Sequence, residues 1–408
     1  MVVGAGWDQV PIIRTARQQG HFVIALDGNA HAYGLQEADK ALVISTRDIE
    51  AVLQAAITEH IDAITYMITE SPLPAIRRVV EELGLPGPSA ESVEATVSKA
   101  RMREIFSAAG IPNPRFGRAA TLAEALQIAR DIGAPLVMKP TDVGGQLGLS
   151  FITDLAAVPA AFERAQGQGV SGEVMFEEWL DGNEVNVVAI VVNGRVRVMT
   201  VSDRMKHPVG GFGVVQRHLF PAACSEATLS QIADLSQQVV TAMHVHTGIV
   251  FPQMILTSAG PRIVEIGERI PGGVMKELFE LATGYDLVRF QLDVALGQVL
   301  DLDIYCSLPK YPAVTVRFLT AEPGTLRPGH VARVLGREAA LALPGVVDVN
   351  FYNDPTQPQE IRPLGCGRDR FYTIIAVGDS CAEAVARGDA AAARLDFLDA
   401  AGNSLVIR

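Results

Sequence analysis

The 408-residue sequence is poor in several features that would place it quickly. Cysteine is scarce: Cys224, Cys306, Cys366 and Cys381 lie far apart and match no zinc or redox spacing, so reduced thiols in a cytoplasmic protein are the expectation. Clusters of Lys and Arg are missing, and a formal charge of -12 disfavours nucleic acid as a partner, because a phosphate-tracking surface needs such clusters. Any bound phosphate must be met locally. No apolar run is long enough for a bilayer span and the opening Met1-Val2-Val3-Gly4 is not a signal peptide, so no membrane role is expected. Repeats and low-complexity tracts are absent, apart from an Ala-rich stretch near Ala390. The remainder is 49% apolar with 37 Gly and 23 Pro, the profile of an α/β enzyme of two or three domains.

Residues 1–88 alternate short apolar strands with amphipathic helices. Val2-Val3 ends in Gly4-Ala5-Gly6, a helix follows through Ile12, Ile13 and Ala16, and Phe22 to Leu26 closes on Asp27, a βαβ unit. Strands are expected over Ala41 to Ile44 and Ala63 to Met67, with helices between and after them, in a doubly wound pattern. Gly4-x-Gly6 followed by an acid invites a dinucleotide reading, but Gln9 stands where the third glycine belongs. A glycine turn joining strand to helix is the preferred reading.

Leu85-Pro86-Gly87-Pro88 is a breaker-rich boundary. After it come helices around Lys99 and Phe106, then Thr121 with Glu124 as a capping box for a helix ending at Gly133. An apolar strand over Pro135 to Met138 delivers Lys139 to a loop holding Gly144, Gly145 and Gln146. A point charge followed by unhindered backbone N–H groups is what a triphosphate needs, although a plain hairpin loop has the same look. Further on, Glu177, Glu178, Trp179, Leu180 and Glu184 crowd one strand and turn, which by themselves could be solvated edge decoration. Ser202 to Pro221, with Arg204, Lys206, Arg217 and His218 around Gly210-Gly211-Phe212-Gly213, is read as an irregular lid. His244 and His246 lack a third ligand nearby and are taken as structural.

The segment from Gly248 to Gly284 reads as strand, turn, strand, glycine loop, helix. Ile249 to Thr257 and Arg262 to Ile266 flank Ser258-Ala259-Gly260, read as a three-residue hairpin loop. If Thr257 pairs with Pro261, Gln253 falls opposite Glu265 with both side chains on one face. A carboxylate and an amide oxygen so placed suit Mg²⁺, which takes few protein oxygens and completes its shell from phosphates. Arg269 and Pro271-Gly272-Gly273 then lead into a helix whose first N–H groups would face an anion.

Taken in order, these segments resemble the ATP-grasp ligases over nearly the whole chain, and most of all the L-amino acid (dipeptide) ligases. The resemblance implies an α/β protein with the ATP-grasp fold: an N-terminal doubly wound (pre-ATP-grasp) domain over 1–88, an ATP-grasp domain over 89–300, and a C-terminal α+β subdomain over 301–408. It implies ATP as cosubstrate, with Lys99, Lys139, Gly144, Gly145 and Gln146 on the phosphates. Trp179 and Leu180 would read the purine edge by their backbone, with Glu177 or Glu178 close by and Glu184 on the ribose. His218 would belong to the lid that serves the phosphates or the amine. Gln253 and Glu265 would hold Mg²⁺, with Mn²⁺ an alternative, while Arg269, Gly272 and Gly273 stabilise an acyl phosphate. The partners implied are a small-molecule acid and amine, with a homodimer left open. Gly267 departs from the family's E-x-N-x-R run, and Val215 stands near where the family usually has Glu. The implied reaction joins carboxylate to amine with release of ADP and phosphate; another ATP-grasp synthetase of purine-pathway or carbamoyl type, or an inactive nucleotide binder, stays open.

Overall fold

Val2–Val3, Ile24–Asp27 and Lys40–Val43 pair in parallel at the start of the chain. This is the first layer of a computed structural model that describes residues 1–142, 147–207, 213–298 and 301–407, the side chain at 303 excepted. Helices Ile49–Thr58 and Leu73–Leu83 bury Val52, Leu53, Ile76 and Val79 against Val3 and Leu26. The acid after the second strand is already engaged, since Ala5 N–H donates to Asp27 Oδ2 at 2.9 Å. That contact fastens the first glycine turn and supports the non-dinucleotide reading of it. The strand expected over 63–67 is reduced to one bridge, Val2 with Thr65. The chain departs there because Ile68, at φ 74°, gives its N–H to Ile270 O at 3.1 Å, tying this layer to the glycine loop.

A second, antiparallel sheet runs in the order Phe116–Ala119, Val174–Glu178, Leu136–Pro140, Ser150–Ile152. Helices Leu122–Ile132 and Val158–Gln168 cover it, burying Ala125, Ala129, Leu136, Met138, Phe162 and Phe176 together. Thr121 and Glu124 form the expected capping box. Because side chains alternate along a strand, Leu136 and Met138 enter this core and Lys139 is left on the other face.

The largest sheet has eight strands, in the order Gly260–Gly267, Gly248–Thr257, Asn183–Val192, Arg195–Lys206, Val215–Phe220, Ala313–Leu319, Tyr372–Gly378, Val346–Phe351. Its pairings are antiparallel. The ladder continues from Val215–Phe220 into Ala313–Leu319, with His218 opposite Val316, so the C-terminal segment extends the same sheet. Helix Cys381–Ala392 packs on that end. The expected irregular lid over 202–221 is corrected: most of it is this strand pair, with Arg204 opposite His218. Alternation explains the misreading, because the cations of the segment project from regular strands. Residues 208–212 at its tip lie outside the described residues. Among the described residues no helix is long and apolar enough to cross a membrane.

Candidate active site

Lys139 leaves its strand on the open face and meets Glu177, its Nζ 2.7 Å from Oε2. Arg103 holds the other oxygen of the same carboxylate at 2.6 Å. Burial alone would raise the pKa of Glu177, but the adjoining Arg103 and Lys139 prevail and hold it at about 2. Helix Lys99–Ala108 begins beside this pair, since Lys99 N–H donates to Thr141 O at 3.2 Å. The Lys99 ammonium is lowered by burial, opposed by Glu265 and reinforced by the nearby Lys139. Lys99, Lys139, Glu177 and Glu265, from four separate segments, therefore lie within electrostatic reach of one another. Gly144, Gly145 and Gln146 lie outside the described residues.

At the turn after Val174–Glu178, the Glu178 amide donates to Arg115 O at 2.9 Å and that of Trp179 to Pro135 O at 3.2 Å. Leu180, buried, gives its N–H to no carbonyl among the described backbone contacts. The Trp179 ring lies 4.6 Å from that of Phe151 and 5.9 Å from Lys206 Nζ. Glu178 turns outward to Arg115, at 2.7 Å. Glu184 has both oxygens occupied, by Arg204 at 2.7 Å and Lys206 at 2.6 Å, so a ribose would have to compete with those cations.

Gln253 lies opposite Glu265, by a different route from the one expected. Thr257 pairs with Gly260, leaving a two-residue turn, and the register then shifts by one between Met254 and Gln253. Thr257 Oγ1 tightens the turn, accepting from Ala259 N–H at 3.2 Å and donating to Gly260 O at 2.8 Å. The residue passed over in the shift is Val264, whose carbonyl accepts from Arg103. On its other side Gln253 pairs with Asn186, so Asn186, Gln253 and Glu265 form a row across three strands. Asn186 Oδ1 is buried without a partner among the described residues, while its Nδ2 donates to His218 Nδ1 at 3.0 Å. Burial, with Arg370 and Arg204, keeps His218 well below the usual histidine range, and thus neutral with the proton on Nε2. A row of oxygen donors with one orphaned oxygen fits a hard cation whose shell is completed by phosphate. Among the described residues no three His, Cys, Asp or Glu side chains converge, which suits that sparse donor set.

Glu268 follows the end of the strand at Gly267. Its carboxyl is buried, with Oε2 unpartnered among the described residues, and burial pushes its pKa up to about 7 against an opposing pull from Ser92. A side chain at Gly267 would meet Glu70, 3.0 Å from the added carbon. Glu70 Oε1 in turn accepts from Arg269 Nε at 2.6 Å. The place left by the missing Asn is thus occupied by a carboxylate from the N-terminal layer. Gly272 backs onto Ile68, and Gly273, at φ 69°, onto the Arg370 guanidinium. Helix Met275–Thr283 follows and ends on Gly284 at φ 76°. Sequence reasoning missed Arg103, Glu70, Asn186 and Arg370. Asn186 had a signal, as the one amide inside the valine-rich run Val185 to Val188; the others sit on helices and loops whose direction no periodicity gives.

A family model of the phosphoribosylglycinamide synthetase ATP-grasp (A) domain matches residues 97–271, and one of the L-amino acid ligase C-terminal domain 2 matches residues 317–398. Residues 97–271 thus carry an ATP-grasp domain. An alanine–anticapsin ligase of Bacillus subtilis is 24% identical over 278 residues, covering 62% of this chain and 58% of that enzyme. The chain thus spans a little over half of that relative. A phosphoribosylamine–glycine ligase of Leifsonia xyli is 28% identical over 286 residues, 66% of this chain and 67% of that one. The solved L-amino acid ligase of Bacillus licheniformis superposes with a TM-score of 0.81 at 19% identity, over 97% of this chain and 98% of that one, a likeness that carries the ATP-grasp fold.

Proposed function

We propose that this ATP-grasp ligase joins an amino acid, through its carboxylate, to the amine of a second amino acid, by way of an acyl phosphate. The observation that carries this reading is that Lys99 lies within electrostatic reach of both Lys139 and Glu265, and that Glu265 lies opposite Gln253. In this reading Lys139 leaves Glu177 and, with Lys99, holds the polyphosphate, and the Leu180 amide meets the purine. Mg²⁺ on Gln253 and Glu265, with Mn²⁺ an alternative, supplies charge neutralisation between phosphate oxygens when bound. Arg269 exchanges Glu70 for the transferred phosphoryl group, and the Gly272 and Gly273 amides face the oxyanion of the tetrahedral adduct. The match over 317–398 favours the amino-acid branch, and the division into 1–88, 89–300 and 301–408 belongs to this reading.

A purine-pathway synthetase is the second reading, favoured by the match over 97–271. One screen separates them: ADP and phosphate release with Mg²⁺ and pairs of amino acids, set against glycine with a ribosylamine phosphate. Hydroxylamine in place of the amine should give a hydroxamate together with ADP. Production of AMP and pyrophosphate would overturn the acyl-phosphate route.

A further inference from the structure

Arg370 reaches the glycine loop from the C-terminal segment, and its surroundings differ from those of the other cations. The guanidinium lies 4.3 Å from the Phe318 ring centre and 4.4 Å from that of Tyr352. Its Nη2 donates to Tyr352 Oη at 2.7 Å and its Nε to Gly367 O at 2.8 Å. A carbon added at Gly273 would come within 3.5 Å of Nη1. Among the described residues no carboxylate forms an ion pair with it. A planar fork fixed by two rings and two neutral acceptors keeps its full charge for an incoming anion and needs little ordering to bind one. Gly273 and Tyr352 also line a cavity of about 160 Å³ that Trp7, Asp8, Ile68 and Ile375 share. Asp8, at the exposed end of that wall, feels both Arg370 and Glu277.

We propose that Arg370 anchors the carboxylate of the amine substrate, so that the acceptor is read as an amino acid by a residue of the C-terminal segment. The inference rests on the ligase reading and adds to it a specificity-determining residue. The amine substrate keeps its carboxylate through the whole reaction, whereas the acid gives up its own to phosphate. A permanent guanidinium that forms no ion pair among the described residues therefore suits the amine substrate. A phosphate dianion, with twice the charge of a carboxylate, is the poorer occupant, because Asp8, Glu277 and Asp348 outnumber Lys276 around the cavity that Gly273 and Tyr352 line. Asp8 offers a counter-charge to the ammonium of a zwitterion.

The test compares amino acids with their own carboxamides as acceptors for the full-length enzyme, using ATP, Mg²⁺ and the accepted acid. The parent should use the carboxamide about 30-fold less well by kcat/KM, as expected for loss of a charge-assisted contact. Arg370→Gln should raise the acceptor KM at least about tenfold and shrink the preference for the carboxylate to about threefold or less. The KM for ATP should change far less than the acceptor KM. Arg370→Lys should restore part of the preference, a recovery that a purely structural role would not produce. Equal use of both acceptors by the parent overturns the proposal. So does an Arg370→Gln enzyme whose hydroxamate yield falls as far as its amide yield, which would assign Arg370 to activation of the acid. If Arg370→Gln melts far below the parent, the Arg370→Lys enzyme decides, and an unchanged carboxamide preference there together with an unchanged acceptor KM overturns the proposal. Failure of the parent to make any hydroxamate would instead sink the ligase reading beneath it, a result visible before acceptors are compared.

Discussion

On the Lys139 side of the candidate site five cations lean on carboxylates: Arg103 and Lys139 on Glu177, Arg204 and Lys206 on Glu184, Arg269 on Glu70. Across the glycine loop Arg370 leans on aromatic rings, a hydroxyl and a carbonyl. The first arrangement is balanced before any ligand arrives, so in the proposed reaction a triphosphate would bind by exchanging one anion for another. Much of the attraction is already satisfied, and selectivity comes from geometry. The second arrangement holds its charge in reserve, and a single anion can claim it without displacing a neighbour. The comparison teaches that burial of a cation does not by itself mark a binding site, since what matters is whether the counter-charge is built in.

The comparison breaks most severely at Glu177. Glu177→Gln leaves Arg103 and Lys139 buried with no anion between them and should destabilise the fold by about 3–5 kcal/mol, measured by urea unfolding. A loss below about 1 kcal/mol would mean the pair is solvated after all. Next comes Arg269→Lys, which keeps charge but loses the fork that grips Glu70 and, in the proposed reaction, the phosphoryl group. Hydroxamate formation should drop on the order of 100-fold while ATP still binds by calorimetry. Lys139→Ala should weaken ATP binding by roughly 1.5–3 kcal/mol, and unchanged affinity would remove this residue from the phosphates.

An effect confined to higher pH is expected at Glu268, the buried acid with no counter-charge among the described residues. Its pKa stands at about 7 in the fold against an ordinary 4.5, so its contribution is complete below the ordinary value and is lost as the pH rises to about 7. Glu268→Gln, neutral throughout, should therefore match the parent near pH 4 and exceed it by about 3 kcal/mol at pH 8. Parallel stability curves for the two proteins would contradict this. Smallest is Glu178→Gln on the same strand as Glu177, whose partner Arg115 has a side chain 63% exposed. Its cost should stay under about 1 kcal/mol in the same urea experiment, and a larger loss would erase the contrast between neighbours.

Much of the fold was legible because the elements that matter are long and regular. The capping box at Thr121, the strand ending in Lys139 and the hairpin around Gly260 each follow from local chemistry. The lid over 202–221 was misread because a strand pair bearing Arg204, Lys206 and His218 looks polar along the chain, and only pairing reveals that these side chains project from regular strands. Glu70 and Arg370 were invisible for another reason. Each comes to the glycine loop from a distant part of the chain, 199 residues from Arg269 in the case of Glu70, and no pattern within a window carries that distance. Gly267 did point at something, since a family position without its side chain implies that another group takes the space, but the sequence could not say which.

The shift at Val264 acts on parity. Counting from the Thr257–Gly260 pair, an unbroken ladder would set Val264 against Gln253 and send Glu265 to the opposite side of the sheet. One extra residue reverses the sign of every position that follows it, up to the end of the strand at Gly267. The hairpin can therefore keep the shortest turn while its distal half stays in phase with the row on Asn183–Val192. Inserting one residue between Ser258 and Val264, with the turn and the shift kept, should set Val264 against Gln253 and desynchronise the acid from the amide without altering either of them, so length, as much as identity, is inherited at this turn.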